Sequence, residues 1–383
     1  MAVSPFSLLM AVLWSSVFIL LLFCLRKSTR FLSITGVGPL LFLAGGIVLR
    51  CFFPVEIPYF TQVIGLRGVV ASVFRVLKAP LGIGSFLVLD VIWLLWIVGT
   101  LLLLGRFTWR YWRFSRRLRA YEPLEEGEIW EAASKTARRL GVPSPKLIQT
   151  SSIDTPQVTG FFKPVVLLPV FPYTEEEQDY VLLHELTHWK NHDLWVKLCV
   201  ELLCDCFWWN PLVYLLKKDL SRVLEMKCDA AILQGKSQEE ASVYEEVLLK
   251  TLVFTQNSQK ENFVPFTVLE LASSDSKAVL QRIQLIMERK PRCQNKLALA
   301  ALGLEFSLLL LVSYSFLVQP AYDPPSSEMS MGGQATVIDP SNTYLRDNKD
   351  GTYSLYQNGK EVEGDVEKEG AAVLLQQGFE LRS

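Results

Sequence analysis

Val181-Leu-Leu-His184-Glu185-Leu-Thr-His188-Trp-Lys-Asn-His192-Asp193 holds all three histidines of this 383-residue chain and contains the pattern His-Glu-x-x-His. Residues four apart on an α-helix lie on one face, so His184 and His188 can offer two imidazoles to one metal ion. Glu185 projects beside them, where it can hold a water as general base. That is the arrangement of a zinc peptidase. The pattern also arises by chance, so its surroundings carry the weight. Thr174-Glu-Glu-Glu177 has the Ser/Thr-x-x-Glu form of a capping box, so a helix starts there. Val181, Leu182, Leu183, Leu186 and Trp189 bury most of that helix. The plainer account is a core helix with satisfied histidines. Burial weakens it, because two imidazoles and a carboxylate on such a helix need a partner.

The third ligand lies elsewhere. His192 is one turn beyond His188, and three groups spread over eight helical residues stretch across about 12 Å, too far to converge on one ion. The His-x-x-Gly-x-x-His continuation is absent, since Asn191 and Leu194 occupy the Gly and second His positions. The ligand is therefore a carboxylate or a thiolate. Glu225-Met-Lys-Cys228-Asp229 places two carboxylates one turn apart on a second helix, through which apolar Leu216, Leu220, Val223 and Leu224 run. Glu225 can ligate the metal while Asp229 orients an imidazole from behind. By itself Glu-x-x-x-Asp is most often a solvated helix face, so its meaning comes from the histidine motif it follows. Cys228 reads as packing. Cys204 and Cys206, two apart, point in different directions on a helix.

The run Gly160-Phe-Phe-Lys-Pro164-Val-Val-Leu-Leu168-Pro169, then Tyr173 through His188, then Asp193, resembles the BlaR/MecR-type membrane metallopeptidases. Trp209-Asn210-Pro211-Leu212, Glu225-x-x-Cys228-Asp229 and Leu280-Gln-Arg282-Ile283 continue the likeness, which covers residues 1–318. The resemblance implies a gluzincin-like site with Zn2+ as cofactor. His184, His188 and Glu225 would be its ligands, Glu185 its base, and Asp229 a support. It also implies a bacterial, Gram-positive source and a place in a signalling pathway.

Composition fits a membrane protein: 50% of residues are hydrophobic, 20% are charged, and the net charge of −1 suggests no nucleic-acid partner. Met1 to Leu25 carries no charge and is long enough to span. Its length, and the lack of a basic lead or a small-x-small site before Arg26-Lys27, set it apart from a signal peptide. Phe31–Leu49, Leu81–Gly105 (interrupted by Asp90) and Leu297–Val318 (interrupted by Glu305) are further apolar runs. Asp90 and Glu305 are expected to face other helices or water, in a signalling or a structural role. Arg106, Arg110, Arg113, Arg116, Arg117 and Arg119 crowd the exit of the third span; Arg289, Lys290, Arg292 and Lys296 crowd the entrance of the fourth. By the positive-inside rule, residues 106–296 are cytoplasmic, and the N-terminus and C-terminal tail are outside. The segment from Arg50 to Pro80 is then external despite its four basic residues. Arg67, Arg75 and Lys78 share one helical face, as in a segment lying flat on the membrane.

Leu194–Leu216 is also long enough to span, yet Lys197, Glu201 and Asp205 form one polar stripe along it. It reads as a helix half-buried against the protease or dipping into the inner leaflet. Trp208 and Trp209 would lie at the interface, and Asn210-Pro211 would break the helix. If it crossed, His184 and Glu225 would lie on opposite sides of the membrane, and a shared metal site would be impossible.

The expected fold is a multi-pass α-helical membrane protein with a cytoplasmic α+β gluzincin-like zinc peptidase domain and a small extracellular β-hairpin tail. Residues 1–105 hold three spans (5–25, 31–49 and 81–105), 106–296 the peptidase, 297–318 the fourth span, 319–340 a linker and 341–383 the tail. Within the peptidase, Glu122–Leu140 reads as helix, Gly141–Pro145 as turn, and Lys146–Thr150 and Phe161–Val170 as strands. The strand before the metal helix would rim a cleft along which an extended substrate pairs. Residues 237–290 are helix-prone, with flexibility around Thr255 to Asn262. In the tail, Asp350-Gly351 and Asn358-Gly359 mark hairpin turns. The best-known members of the resembled family carry an external penicillin-binding domain with a Ser-x-x-Lys nucleophile, and residues 319–383 show no such motif. Ser274-Asp-Ser-Lys277 matches it by chance, on the inner side and without a Lys-Thr-Gly partner.

The function expected is that of a zinc endopeptidase in the bacterial plasma membrane, a sensor-transducer that cuts a cytoplasmic protein by metal-activated water with Glu185 as base. In the resembled family that target is a winged-helix repressor. The partners expected are this substrate and the lipid bilayer, with a homodimer left open. One alternative is a housekeeping membrane protease of the CAAX-processing or quality-control type. Another is a non-catalytic receptor or scaffold with a structural metal site, which would need a fourth protein ligand where the sequence offers three.

Overall fold

Long apolar segments with no water to satisfy their backbone groups must close their hydrogen bonds internally, and helices do so. In the computed structural model, the first part of the chain forms α1 (Pro5–Lys27), α2 (Thr29–Thr35), α3 (Gly38–Phe52), β1 (Gln62–Leu66), α4 (Val69–Leu77) and α5 (Val88–Leu118). The structure describes residues 5–55, 57, 60–66, 69–80, 86–257, 276–287, 296–320, 343–348, 353–357, 359–366, 371, 374–375 and 379–382. Both α1 and α5 are long and apolar enough to cross a membrane. The second expected span, Phe31–Leu49, is not one straight helix, because α2 and α3 meet at 101°. Gly36 ends α2 at φ +75°, and Pro39 sits in the first turn of α3, where its missing N–H costs nothing. The third expected span is shifted: α5 starts at Val88 and continues through the arginines to Leu118. Asp90 lies in its first turn, where its carboxylate accepts from the Leu87 N–H at 2.9 Å, so it acts as a cap and not as a charge within the span.

The peptidase region opens with α6 (Glu128–Leu140) and a three-stranded sheet of order β2 (Lys146–Thr150), β4 (Val165–Pro169), β3 (Gln157–Thr159). Here β4 runs parallel to β2 and antiparallel to β3. The strand expected over Phe161–Val170 is corrected, since Phe161 to Lys163 form the turn that joins β3 to β4. Gly160 holds that turn at φ +90°, and a Cβ there would collide with the Lys163 carbonyl. The expected cleft rim is corrected as well. Both edges of β4 are paired, so its backbone groups are consumed; the outer edges belong to β2, which Leu124 bridges at Leu147, and to β3. Helix α7 (Glu175–Lys190) then begins with the capping box read from the sequence: Thr174 Oγ1 accepts from the Glu177 N–H at 3.3 Å, and the Glu177 carboxylate accepts from the Thr174 N–H at 2.8 Å. Its buried residues Leu182 and Leu186 pack with Ala133, Leu147 and Val166.

Leu194–Leu216 divides into α8 (Asp193–Cys206) and the start of α9 (Pro211–Ile232). The Asn210 side chain accepts from the Leu212 N–H at 3.0 Å, and Pro211 occupies the first turn of α9. The chain therefore turns back. Together α8 and α9 bury Val200, Leu203, Leu216 and Leu220 against Phe18, Ile19 and Leu22 of α1 and Leu43 and Ile47 of α3. Within the polar stripe, Glu201 lies 2.9 Å from Lys217 Nζ. Alongside, the Trp96 Nε1–H of α5 donates to the Cys206 carbonyl at 2.6 Å. After α9 come α10 (Gln238–Asn257), α11 (Ser276–Met287) and α12 (Lys296–Ser315). The apolar stretch of α12, Leu299–Ser315, is shorter than the fourth span expected. It ends where β5 (Phe316–Pro320) pairs in parallel with β1.

The tail, Ala321–Ser383, is a separate unit. Its sheet runs β8 (Lys360–Val366), β7 (Tyr353–Gln357), β6 (Thr343–Asp347), β9 (Glu380–Arg382). Gln357 pairs with Lys360 in the β7–β8 ladder, and Gly359 between them has φ +79°. A hairpin reading does not foresee β9, which pairs in parallel with β6 from far along the chain. Arg67, Asp350-Gly351, Asn358, the 258–262 part of the flexible segment, Ser274 and nearly all of the linker lie outside the described residues.

One buried ion pair ties the membrane helices to the peptidase. Arg26 Nε at the end of α1 lies 2.8 Å from Asp219 Oδ1 on α9, with side-chain exposures of 4% and 1%. Replacing Asp219 by Leu leaves the guanidinium buried without its counter-charge and should cost about 3–5 kcal/mol. The double replacement Arg26→Leu/Asp219→Leu should recover most of it. Thermal unfolding of the detergent-solubilised chain checks this; equal losses in both variants would contradict it.

Candidate metal centre

The four-residue spacing on α7 sets His184 and His188 on one face, one turn apart, with their rings edge to face and centroids 4.6 Å apart. Opposite them, α9 contributes Glu225, Cys228 and Asp229. His184 Nε2 and His188 Nε2 are 3.1 Å apart. Glu225 Oε2 lies 3.3 Å from the first, and Glu225 Oε1 3.5 Å from the second. Zinc bonds of about 2.0–2.1 Å in a tetrahedron require ligand atoms about 3.3–3.4 Å apart. The three groups thus fit the face of such a tetrahedron. His192 takes no part in the group: it turns the chain out of α7 with a left-handed backbone, φ +60°.

Hydrogen bonds at the far side of each ring fix which nitrogen is free. Asp193 Oδ2 lies 2.8 Å from His188 Nδ1, and a carboxylate can only accept, so Nδ1 carries the hydrogen. The Tyr244 hydroxyl of α10 donates to Asp229 Oδ1 at 2.7 Å, which leaves its oxygen to accept from His184 Nδ1 at 2.8 Å. Both Nε2 atoms then face one another at 3.1 Å, an arrangement that a proton or a metal ion between them satisfies. The expected support by Asp229 is refined, since its carboxylate reaches His184 through Tyr244 and is itself 3.9 Å from Nδ1. Arg282 of α11 completes the frame. Its Nε and Nη2 donate to the two Asp229 oxygens at 2.7 Å each, and its Nη1 is 3.3 Å from Glu225 Oε2.

The surroundings favour positive charge at this point. Burial works against a charged His184, but the negative charge of an ionised Cys228, with the Glu225 carboxylate, outweighs it and pushes the pKa up to about 10. The same opposition, won by Cys228, Glu225 and Asp193, raises His188 well above the usual imidazole range. Burial would raise Glu225, yet His188, His184 and Arg282 hold it well below the ordinary carboxylate range. A site that draws positive charge to two imidazole nitrogens suits a divalent metal. Cys228 is a second possible donor, because its Sγ forms a group with His184 and His188 whose ligand atoms all lie within 4.8 Å of one another. However, Sγ approaches His184 on the Nδ1 side, at 3.5 Å, and also donates to the His184 carbonyl at 3.5 Å.

A family model described as BlaR1 peptidase M56 matches residues 79–286, a stretch containing this whole constellation. The chain belongs to the M56 peptidase family. Over 164 residues it is 31% identical to the methicillin resistance mecR1 protein of Staphylococcus aureus strain Mu50, covering 42% of this chain and 28% of that relative. It is 34% identical over 116 residues to the regulatory protein BlaR1 of Bacillus licheniformis, covering 30% and 19%. With the BlaR1 of Staphylococcus aureus it shares 21% identity over 220 residues, covering 56% and 36%. In each case the chain spans well under half of the relative's length. The family is one of peptidases, and α1 and α5 of this M56 protein are long and apolar enough to cross a membrane.

Beside this group of side chains opens a cavity of about 180 Å³, lined by Glu185 of α7, Gln157 and Val158 of β3, Lys197 of α8 and Thr251 of α10. Glu185 is 8% exposed and shares this wall with the two histidines. Sequence reasoning reached the α7 and α9 groups and missed Tyr244 and Arg282. Arg282 stood within the quoted Leu280-Gln-Arg282-Ile283 run, the one available signal, whereas nothing local distinguishes Tyr244. Replacing Tyr244 by Phe strips Asp229 and His184 of a shared partner in a site 1% exposed. It should destabilise the chain by about 1–3 kcal/mol in thermal unfolding. An unchanged midpoint would remove the hydroxyl from this frame.

Proposed function

We propose that this chain is a membrane-anchored zinc endopeptidase that cuts a cytoplasmic protein as a step in regulatory signal transduction. The observation that carries this reading is the convergence of two fixed Nε2 lone pairs and the Glu225 carboxylate beside a cavity that Glu185 lines. His184, His188 and Glu225 would hold the ion, with Asp193 orienting His188, and Asp229 orienting His184 through Tyr244. Zinc bound there supplies a Lewis acid for the scissile carbonyl and lowers the pKa of water. Glu185 takes a proton from the attacking water and delivers it to the leaving amine. An extended peptide can pair along the free edge of β3, with backbone bonds giving affinity and the cavity wall giving selectivity.

The regulatory part rests on the relatives, one named for methicillin resistance and others as regulatory proteins. Those names favour regulation over housekeeping cleavage, and a winged-helix repressor is the type of target that the family resemblance implies. A structural metal site would need a fourth protein donor; the Cys228 sulfur lies 3.5 Å from His184 Nδ1, the nitrogen that also faces the Tyr244 hydroxyl, whereas Glu225 meets Nε2. The catalytic reading therefore fits better than the scaffold.

Glu185→Gln should retain about one zinc per chain by elemental analysis while slowing cleavage of fluorescent casein at least about a hundredfold. Glu225→Ala should lose metal, and Cys228→Ala should keep it. Undiminished cleavage by Glu185→Gln would defeat the mechanism; metal lost only from Cys228→Ala would move the third ligand.

The arginine-rich exit of α5 supports four crossings by α1, the bent α2–α3 pair, α5 and α12, with both ends outside. Impermeant thiol reagents applied to intact cells should then label Gly351→Cys and spare Glu125→Cys and Ser237→Cys. Labelling at 125 would reverse the orientation.

A further inference from the structure

The turn between β3 and β4 displays an aromatic group that catalysis does not use. Phe162 is 84% exposed, more than any other large apolar side chain among the described residues. Its ring meets Trp195, in the first turn of α8, edge to face at 5.8 Å. Phe161 lies 4.8 Å from the same Trp195 and 5.9 Å from Tyr111 of α5. These contacts fix the level of the turn along a membrane-crossing helix. Tyr111 is five residues beyond Arg106, the first charge after the apolar stretch, and so about 7–8 Å further along the axis. The interfacial layer on each side of the hydrocarbon core is about 5–8 Å thick. The rings packed around Tyr111 therefore fall at headgroup depth.

The surface beside them has the same character. Trp109 and Trp112 on α5 are each 54% exposed. Arg113 and Arg116 lie over their rings, each at 5.4 Å. Aromatic rings with cations at one level form the belt expected where a span leaves the bilayer. None of the apolar window of α5 is buried within the protein, so the aromatic turn continues a surface that already faces lipid.

We propose that Phe161, Phe162 and Trp195 form a lipid-docking surface that enters the interfacial layer of the leaflet from which Arg106 emerges. Lys163, next in the turn, adds a cation for anionic headgroups. The Trp189 Nε1–H donates to the Gly160 carbonyl at 2.8 Å, so the turn is fastened to the helix that carries the histidines. Docking thereby holds the free edge of β3 at the membrane surface. The inference rests on α5 crossing the membrane and is independent of whether the site cleaves peptides.

The test uses the full chain carrying Phe162→Cys, and separately Trp195→Cys, each labelled with bimane. The labelled chains are reconstituted into phosphatidylcholine–phosphatidylglycerol vesicles, with the identically treated unsubstituted chain subtracted as background. Lys135→Cys, on an exposed face of α6, is the reference. Lipids brominated near the headgroup should quench both test positions at least about threefold more than position 135, with a blue-shifted emission. Water-like emission and no added quenching at 162 and 195 would overturn the proposal. Protection of the 162 thiol without lipid quenching would assign the surface to a protein and overturn it equally.

Discussion

Two imidazole nitrogens whose lone pairs face one another across 3.1 Å repel unless a cation lies between them. Everything around the centre enforces that confrontation. Asp193 holds the outer nitrogen of one ring, the Tyr244–Asp229 pair holds that of the other, and Arg282 fixes the carboxylate that closes the triangle. Five helices supply these groups. Their packing energy is what keeps the site from relaxing, since either histidine could otherwise rotate away at little cost.

The most exacting of these placements is that of Glu225. Its helix begins at Pro211, inside an apolar bundle with α1 and α3, and only later reaches the centre. The break at Asn210-Pro211 decides the path of the chain, because an uninterrupted helix from Asp193 would carry Glu225 about 50 Å from the end of α7. A single capped turn, with Asn210 accepting from Leu212, therefore brings the two halves of the site together. Arg26 then fastens the returning helix to α1 through Asp219 and also donates to Gln281 at 3.1 Å, the neighbour of Arg282.

Features encoded by neighbouring residues were legible in the sequence: the His-Glu-x-x-His face, the Thr174 capping box, the Asn210-Pro211 break and the left-handed Gly359 between β7 and β8. Each rests on a local rule about spacing, capping or backbone freedom. Features made by distant partners were not. Tyr244 and Arg282 look like ordinary helix residues until folding sets them against Asp229. Strand β3 has three residues, too few for alternation to show, and it exists because β4 has an edge to pair. The bend after α2 was marked by Gly36 and Pro39, but the apolar run around them concealed it. Cys228 read as packing, and it is fully buried, yet its sulfur also touches a histidine.

The apolar cluster shared by α1, α3, α8 and α9 bears on how this protein can be taken apart. A soluble fragment beginning near residue 106 would contain every side chain of the centre and still lack half of its scaffold. Val200, Leu203, Leu216 and Leu220 would face water, and Asp219 would remain in an apolar setting without its guanidinium. Such a fragment would gather into aggregates through the surface that normally meets α1 and α3. The peptidase and its anchor are one folding unit, and the bilayer is part of the solvent in which the catalytic half acquires its shape.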